Sequence, residues 1–122
     1  MIYVGVAVAG AVGAVCRYVV DRVVQRRLYT VMPTGTLIVN VTGSFVAGVV
    51  AGLFLYRGLG STPAVVIGIG FVGAYTTLST FDLETLRLFE SGSVMLGLAN
   101  VAASVVLGLT AAAAGVALGA LL

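Results

Sequence analysis

A cluster of hydroxyl side chains in the middle of the chain restricts its fold more than any other feature. Four of the five residues from 76 to 80 are Ser or Thr, and the preceding residues, 64 to 72, are almost all apolar. In a membrane every backbone N–H and C=O needs a partner, so irregular backbone persists only where protein covers it or where it lines a polar path. The segment 73–81 therefore predicts a membrane helix that is broken around an ion or a small polar substrate.

The composition of the chain requires a membrane environment. Of its 122 residues 61% are hydrophobic and 8% are charged, whereas soluble domains are about a quarter charged. One span takes roughly 20 residues, so four spans fill most of the chain and leave no room for a second domain. We therefore expect an all-α, multi-pass integral protein of the cell membrane, with residues 1–122 forming a single four-helix domain.

Apolar segments separated by turn-forming or charged residues mark the four spans. The expected spans are residues 2–20, 35–56, 63–90 and 94–121. The basic stretch 21–27 has the hydrophobic spacing of an interfacial helix, and the Pro- and Gly-containing connectors 32–35 and 57–63 are typical of helix ends and turns. The single cysteine, Cys16, excludes an internal disulfide.

Polar side chains recur on one face of the second and fourth spans. Thr36, Asn40 and Ser44 are four residues apart, as are Asn100 and Ser104, and residues at this spacing are neighbours on a helix surface. An intramembrane amide such as that of Asn40 could simply bond a neighbouring helix. Taken with the hydroxyl cluster, the two stripes favour a path for an anion, because neutral donors replace part of its hydration shell without trapping it.

The cluster also contains a helix-start pattern. Ser79 followed by Asp82 fits a capping box, and Leu83 and Leu86 then resume a helical spacing. This predicts a half-helix that begins at Ser79 inside the membrane. The positive N-terminal end of such a half-helix can face an anion, while unwound carbonyls can hold a cation.

Several further positions are open to two interpretations. Phe81 could present its positive ring edge to an anion or could only pack. The side chains of Asp82, Glu84 and Arg87 could pair at i,i+3 or lie in a wet vestibule. The glycine pairs 48/52 and 115/119 indicate close helix packing, either within the chain alone or also between subunits. Because four short spans enclose little volume, we expect an oligomer.

Three sequences, in order, resemble the signatures of the Fluc-type (CrcB) fluoride channel family. They are GAVGAVCRY at residues 10–18, GTLIVNVTGSF at 35–45 and GAYTTLSTF at 73–81. The resemblance implies an antiparallel, dual-topology dimer with two narrow fluoride pores. It also implies passive fluoride export, since hydrogen fluoride crosses lipid and releases fluoride in a more alkaline cytoplasm.

The resemblance further assigns roles to individual residues. The anion path would comprise Asn40, Ser79, Thr80, Phe81 and Ser104, with Glu84 as the acid of the vestibule. A structural sodium ion would lie at the dimer interface, bound by the backbone carbonyls of Gly73 and Thr76.

Two positions depart from the family pattern. Leu78 stands where the family normally has the first of two pore phenylalanines, and Asn100 stands at a position commonly held by tyrosine. A pore that lacks one ring edge could conduct poorly, so a non-conducting assembly subunit is an alternative to a channel subunit.

The distribution of arginines bears on the partner of the chain. Arg22, Arg26 and Arg27 follow the first span and Arg87 lies near the end of the third, whereas Arg57 alone follows the second. If Arg87 lies at membrane depth and does not count, the ratio is still three to one. By the positive-inside rule this bias favours one orientation, although a protein inserting equally both ways should show little bias. We expect a homodimer, with one subunit of a heterodimer as the alternative.

Other classes of protein fit the sequence less well. A small multidrug-type exporter needs a carboxylate embedded in the membrane for proton exchange, and the first two spans contain none. An enzyme is not expected, because the chain has no His and no nucleophile–base pair.

Overall fold

Helices account for nearly the whole chain in the computed structural model, which describes residues 1–122 and contains no strands. Four helices are long and apolar enough to cross a membrane. Three of them are continuous: α1 (Ile2–Leu28), α2 (Thr34–Tyr56) and α6 (Val94–Leu121). The third span is composite, and its parts are α3 (Ser61–Val65), a π-helical segment (Val66–Val72), α4 (Gly73–Tyr75) and α5 (Leu78–Glu90). The predicted all-α, four-span architecture is confirmed.

The first helix is longer than its sequence suggested. We expected a span ending near residue 20 and a separate interfacial helix, but α1 continues unbroken to Leu28 because no Gly or Pro interrupts it after Gly13. Its 27 residues make a helix about 40 Å long, whereas the hydrocarbon core is about 30 Å thick. The last turn, with Arg26 and Arg27, therefore extends beyond the hydrocarbon.

The second and fourth spans pack through the predicted glycine pairs. A methyl group on Gly48 or Gly52 would collide with a backbone carbonyl of α6, and one on Gly115 or Gly119 would collide with a backbone carbonyl of α2. Since there is no hydrophobic force between helices in lipid, this close backbone approach supplies the attraction. The four glycines therefore serve packing within the chain.

The first span packs against the composite span in a similar way. A methyl group on Gly13 would meet the backbone of Phe71, and one on Gly70 would lie 2.9 Å from the carbonyl oxygen of Val6. Small residues thus bring α1 against the π-helical segment, directly before the break.

Charge is concentrated at one end of the molecule. Of the ten charged side chains, all except that of Arg57 belong to the second half of α1 or to α5. Both helices run towards the connections 29–33 and 91–93, which we name the charged end. The rest of the surface is mostly apolar: only 18 of 122 residues are buried, so the exterior faces lipid or another subunit.

Candidate ion site at the break of the third span

The break consists of two extended residues. Thr76 has φ −77° and ψ 160°, and Thr77 has φ −147° and ψ 123°. Helical backbone lies immediately before and after them. The predicted interruption of the third span is therefore confirmed, and it is shorter than the nine-residue segment from which it was inferred.

The start of the second half-helix is not where the capping-box pattern placed it. α5 begins at Leu78, and its N-cap is Thr77, whose hydroxyl oxygen accepts from the N–H of Thr80 at 3.3 Å. The same hydroxyl donates to Thr80 Oγ1 at 3.0 Å. An N-cap residue needs extended backbone, which Thr77 has. The prediction that Ser79 caps this helix is wrong, since Ser79 already lies in its first turn.

A side-chain amide from the second span completes the backbone hydrogen bonds of the break. Asn40 Nδ2 donates to the carbonyl of Thr77 at 2.9 Å, and Asn40 Oδ1 accepts from the N–H of Thr77 at 2.8 Å. An extended residue inside a helix loses its helical partners, and unsatisfied backbone is costly in a membrane. Asn40 therefore stabilises the break itself.

Two neighbours of Asn40 hold the adjoining residues. Thr42 donates to the carbonyl of Ile38 at 2.7 Å, so its oxygen is free to accept from the hydroxyl of Tyr75, 2.9 Å away. Gly43 lies against the side chain of Thr76, and a methyl group there would collide with it. Three positions of one turn of α2 thus hold three consecutive residues at the break.

A groove opens beside this contact. It has a volume of about 350 Å³ and is lined by Asn40, Gly43, Ser44, Ala47, Val72, Thr76, Thr77 and Leu78. Ser44 donates its hydroxyl hydrogen to the carbonyl of Asn40 at 2.8 Å, so only its oxygen lone pairs face the groove. Leu78, at 71% exposure, projects outward at the rim.

A second cavity lies on the other side of the break, between α1, α2 and the start of α5. Its volume is about 190 Å³, and Arg17, Asp21, Thr36, Thr77 and Thr80 supply its polar lining. Thr77 lines both spaces. The break therefore borders both cavities.

Glu84 lies in a third cavity, at the charged end. This space of about 310 Å³ is also lined by Gln25, Thr30 and Arg87. Glu84 Oε2 is buried without a hydrogen-bond partner. No i,i+3 ion pair with Arg87 satisfies Glu84, and its place in a vestibule stays a prediction.

The remaining anion-path candidates do not gather around the groove. Ser79 and Thr80 are exposed in the first turn of α5, and Phe81 is half-buried one residue further on. Ser104 Oγ is buried on α6 with no partner. Asn40 therefore lines the groove together with Thr76 and Thr77, whereas Ser79, Phe81 and Ser104 do not line it, although Ser79 Oγ lies 3.4 Å from Thr77 Oγ1.

Asn100 has a different environment from the one expected of a lined path. It is 1% exposed, and its Nδ2 donates to Thr85 Oγ1 at 2.9 Å. Thr85 in turn donates to the carbonyl of Phe81 at 2.7 Å. Sequence reasoning overlooked Thr85, although its place four residues after Phe81 is the spacing at which a helical threonine bonds back to the chain.

Gly73 and Thr76, whose backbone carbonyls are predicted to bind sodium, differ in their surroundings. The carbonyl oxygen of Thr76 accepts no hydrogen bond. Gly73 is exposed, and a methyl group on it would meet nothing closer than the carbonyl oxygen of Gly68, at 4.0 Å. An unpaired carbonyl is a ligand that a hard cation accepts, so the break provides at least one such oxygen.

Comparison with known proteins identifies the family. The profile of the family described as "CrcB-like protein, Camphor Resistance (CrcB)" matches residues 4–116. A Mycobacterium tuberculosis protein named fluoride-specific ion channel FluC 2 is 50% identical over 103 residues, which are 84% of this chain and 79% of that protein. Fluoride-specific ion channel FluC 1 of Frankia casuarinae is 48% identical over 107 residues, covering 81% of each chain. Fluoride-specific ion channel FluC of Magnetococcus marinus is 46% identical over 102 residues, again 81% of each. The chain therefore belongs to the CrcB-like family.

Proposed function

We propose that this chain is a subunit of a fluoride-specific ion channel that lets fluoride leave the cell passively. The observation that carries the proposal is the two-residue break of the third span, held by Asn40 inside the membrane. Relatives with about half of their aligned residues identical to this chain are named fluoride-specific ion channels. The chain is accordingly a transporter and not an enzyme. We also set aside the alternative that it is a small multidrug-type exporter.

The chemistry at the break suits a small dehydrated anion. Asn40 uses one of its two amide hydrogens on Thr77, so the other remains to donate. The N-terminal end of α5 carries a positive partial charge, and the hydroxyls of Ser79 and Thr80 are exposed beside it. Neutral donors of this kind attract fluoride without binding it permanently. We assign the rest of the path to Phe81 and Ser104, with Glu84 in the vestibule.

We further propose that two copies of the chain assemble antiparallel. The groove at Asn40 opens to the outside of the monomer, and the candidates Phe81 and Ser104 are not among the residues that line it, so one subunit alone does not enclose the proposed path. A second subunit would close the groove. Replacing exposed Gly73 with Leu should weaken the dimer without unfolding the subunit, which size-exclusion chromatography with light scattering would measure.

A heterodimer is the second candidate, and the position of the arginines favours it. Arg22, Arg26 and Arg27 are all exposed near the charged end, a distribution that favours a single orientation. The partner would then be a related chain inserted the other way. Cysteines introduced in the connection 57–60 should be labelled from one side only if this is so, and equally from both sides if the chain forms a homodimer.

A structural sodium ion at the dimer interface fits the residues that the break presents. The free carbonyl of Thr76 and the open surroundings of Gly73 support this assignment, since unwound carbonyls bind such ions in transporters. When bound, the ion would offset the partial negative charge of these carbonyl oxygens where two subunits meet. Sodium should then raise the melting temperature of the dimer relative to N-methylglucamine, a cation too large for the site.

The central test is transport by the chain alone. Purified protein in liposomes should release fluoride to an electrode much faster than chloride in a matched experiment. Release of both anions at equal rates would contradict a fluoride-specific channel. Absence of release, followed by rescue when a related chain is added, would support the heterodimer.

A further inference from the structure

We propose that Asn100 is a positioning residue of the ion path: together with Thr85, it fixes the turn of α5 that carries Phe81. This inference rests on the proposed function, because it concerns the geometry of the same path. It gives the position at which tyrosine is common in the family a defined task in this chain.

The three residues form one connected chain of hydrogen bonds. Asn100, on α6, donates to the Thr85 hydroxyl at 2.9 Å, and Thr85 donates to the Phe81 carbonyl at 2.7 Å. Asn100 is 1% and Thr85 6% exposed. Because both side chains are buried and each bond is short, the amide on one helix is tied through a single hydroxyl to the backbone of Phe81.

Two features show how α5 is held against α6. One is the packing of the Phe89 ring against Gly97, one turn further towards the charged end than the bond between Asn100 and Thr85. Asn100–Thr85 is the one side-chain hydrogen bond between these two helices. Since Thr85 is four residues from Phe81 and Phe89 is eight, this bond is the nearer of the two to the turn that carries Phe81.

The same half-helix is held at its beginning by a second side-chain amide, that of Asn40. Asn40 fixes Thr77, and Asn100 fixes Thr85, so one amide lies on each side of the segment 79–81. A helix held at two points eight residues apart can neither rotate nor slide without breaking one of the bonds. Asn100 acts on the ion path through this constraint, and not by contact with the ion.

The first test is a double-mutant cycle on fluoride efflux from liposomes, measured per incorporated protein. Asn100→Leu and Thr85→Val each preserve side-chain size and remove the bond. Each should lower efflux about tenfold, since small misplacements of positioned groups have large effects on rate. The double variant should be no slower than the slower single variant. Thr85→Ser, which retains the hydroxyl, should rescue the rate.

Thr110→Val is the matched control. Thr110 also donates to the carbonyl four residues before it, that of Val106, at 2.7 Å, but it is exposed on α6 and bonds no other helix. Its variant should conduct like the wild type. If Asn100→Leu lowers only the melting temperature and leaves efflux per incorporated protein unchanged, Asn100 merely stabilises the fold and the proposal is overturned. Multiplicative losses in the double variant would overturn it as well.

A second readout does not depend on transport. In a Cys16→Ala background, the maleimide labelling rate of Ser79→Cys reports the position of the first turn of α5. Asn100→Leu should change this rate several-fold, and Thr110→Val should not. If the wild type moves no fluoride either alone or with a related chain, the proposed function fails, while this labelling still decides whether Asn100 positions α5. An unchanged labelling rate would overturn the inference.

Discussion

Asn40 and Thr77, 37 residues apart in the chain, are joined by two hydrogen bonds that satisfy both backbone groups of an extended residue inside a membrane span. The amide thereby takes the place of the two helical partners that Thr77 lacks. This pairing makes the break a defined structure and not a flexible interruption. It also separates two roles for Asn40, one in holding the backbone and one in facing the ion.

Substitutions at Asn40 should distinguish these roles. Asn40→Leu leaves the N–H and the C=O of Thr77 unpaired, at a cost of about 1–3 kcal/mol for each buried group, so both thermal stability and fluoride efflux should fall. Asn40→Asp retains an acceptor for the N–H but places a negative charge beside the groove. It should abolish efflux with a smaller loss of melting temperature, and unchanged efflux in this variant would refute a place for Asn40 on the anion path.

Thr77 should show the energetics of a helix cap. Thr77→Val removes the oxygen that accepts from the N–H of Thr80, and loss of such a cap typically costs about 1 kcal/mol. We expect a lower melting temperature in detergent. Thr77→Ser retains the cap and serves as the control; a serine variant as unstable as the valine variant would show that the lost methyl contacts matter more.

Two glycines of α6 offer a matched test of helix packing. A methyl group at Gly115 would collide with the backbone of α2, whereas one at Gly108 would have Ser44 Oγ as its nearest neighbour, at 3.7 Å. Gly115→Ala should therefore destabilise the chain by about 1–3 kcal/mol, as overpacking does, and Gly108→Ala should be close to neutral. Fluorescence-detected thermal unfolding of both variants would measure the difference, and equal stability would contradict the packing of α2 on α6.

Leu78 should limit conduction. It projects from the rim of the groove at 71% exposure, and a phenylalanine there would supply a positive ring edge to an anion. We expect Leu78→Phe to increase fluoride efflux about twofold to threefold, which is the effect of one weak aromatic contact. Leu83→Phe, on the same helix and 48% exposed, should leave efflux unchanged. If both variants behave alike, the ring adds only bulk.

The sequence predicted the presence of the break because its cause is local. Hydroxyl residues concentrated within an apolar span do not stabilise that span unless the backbone there is irregular. The position of the cap was mispredicted because Thr77 and Ser79 both fit helix-start patterns. The choice between them depends on Asn40, which reaches Thr77 from another helix, and local patterns contain no information about such a contact.

Two other features could not be predicted from sequence patterns. The buried bond between Asn100 and Thr85 depends on how α5 and α6 pack, and the periodicity of α6 alone assigned Asn100 to the same polar stripe as Ser104. The π-helical segment consists of Val, Ile, Gly and Phe, which an ordinary α-helix accommodates equally well. Of its two glycines, Gly70 packs against α1 at Val6, whereas Gly68 has no neighbour within 4 Å.

This wider-wound segment gives the third span one more residue than an α-helix of the same length would need. In it each N–H bonds one residue further back than in an α-helix, as the bond from the N–H of Gly73 to the carbonyl of Gly68 shows. Removing one residue between 66 and 72 would let the segment revert to ordinary winding while Thr77 keeps its register with Asn40. The span could thus lose a residue upstream of its break and still present the same threonines at the same depth.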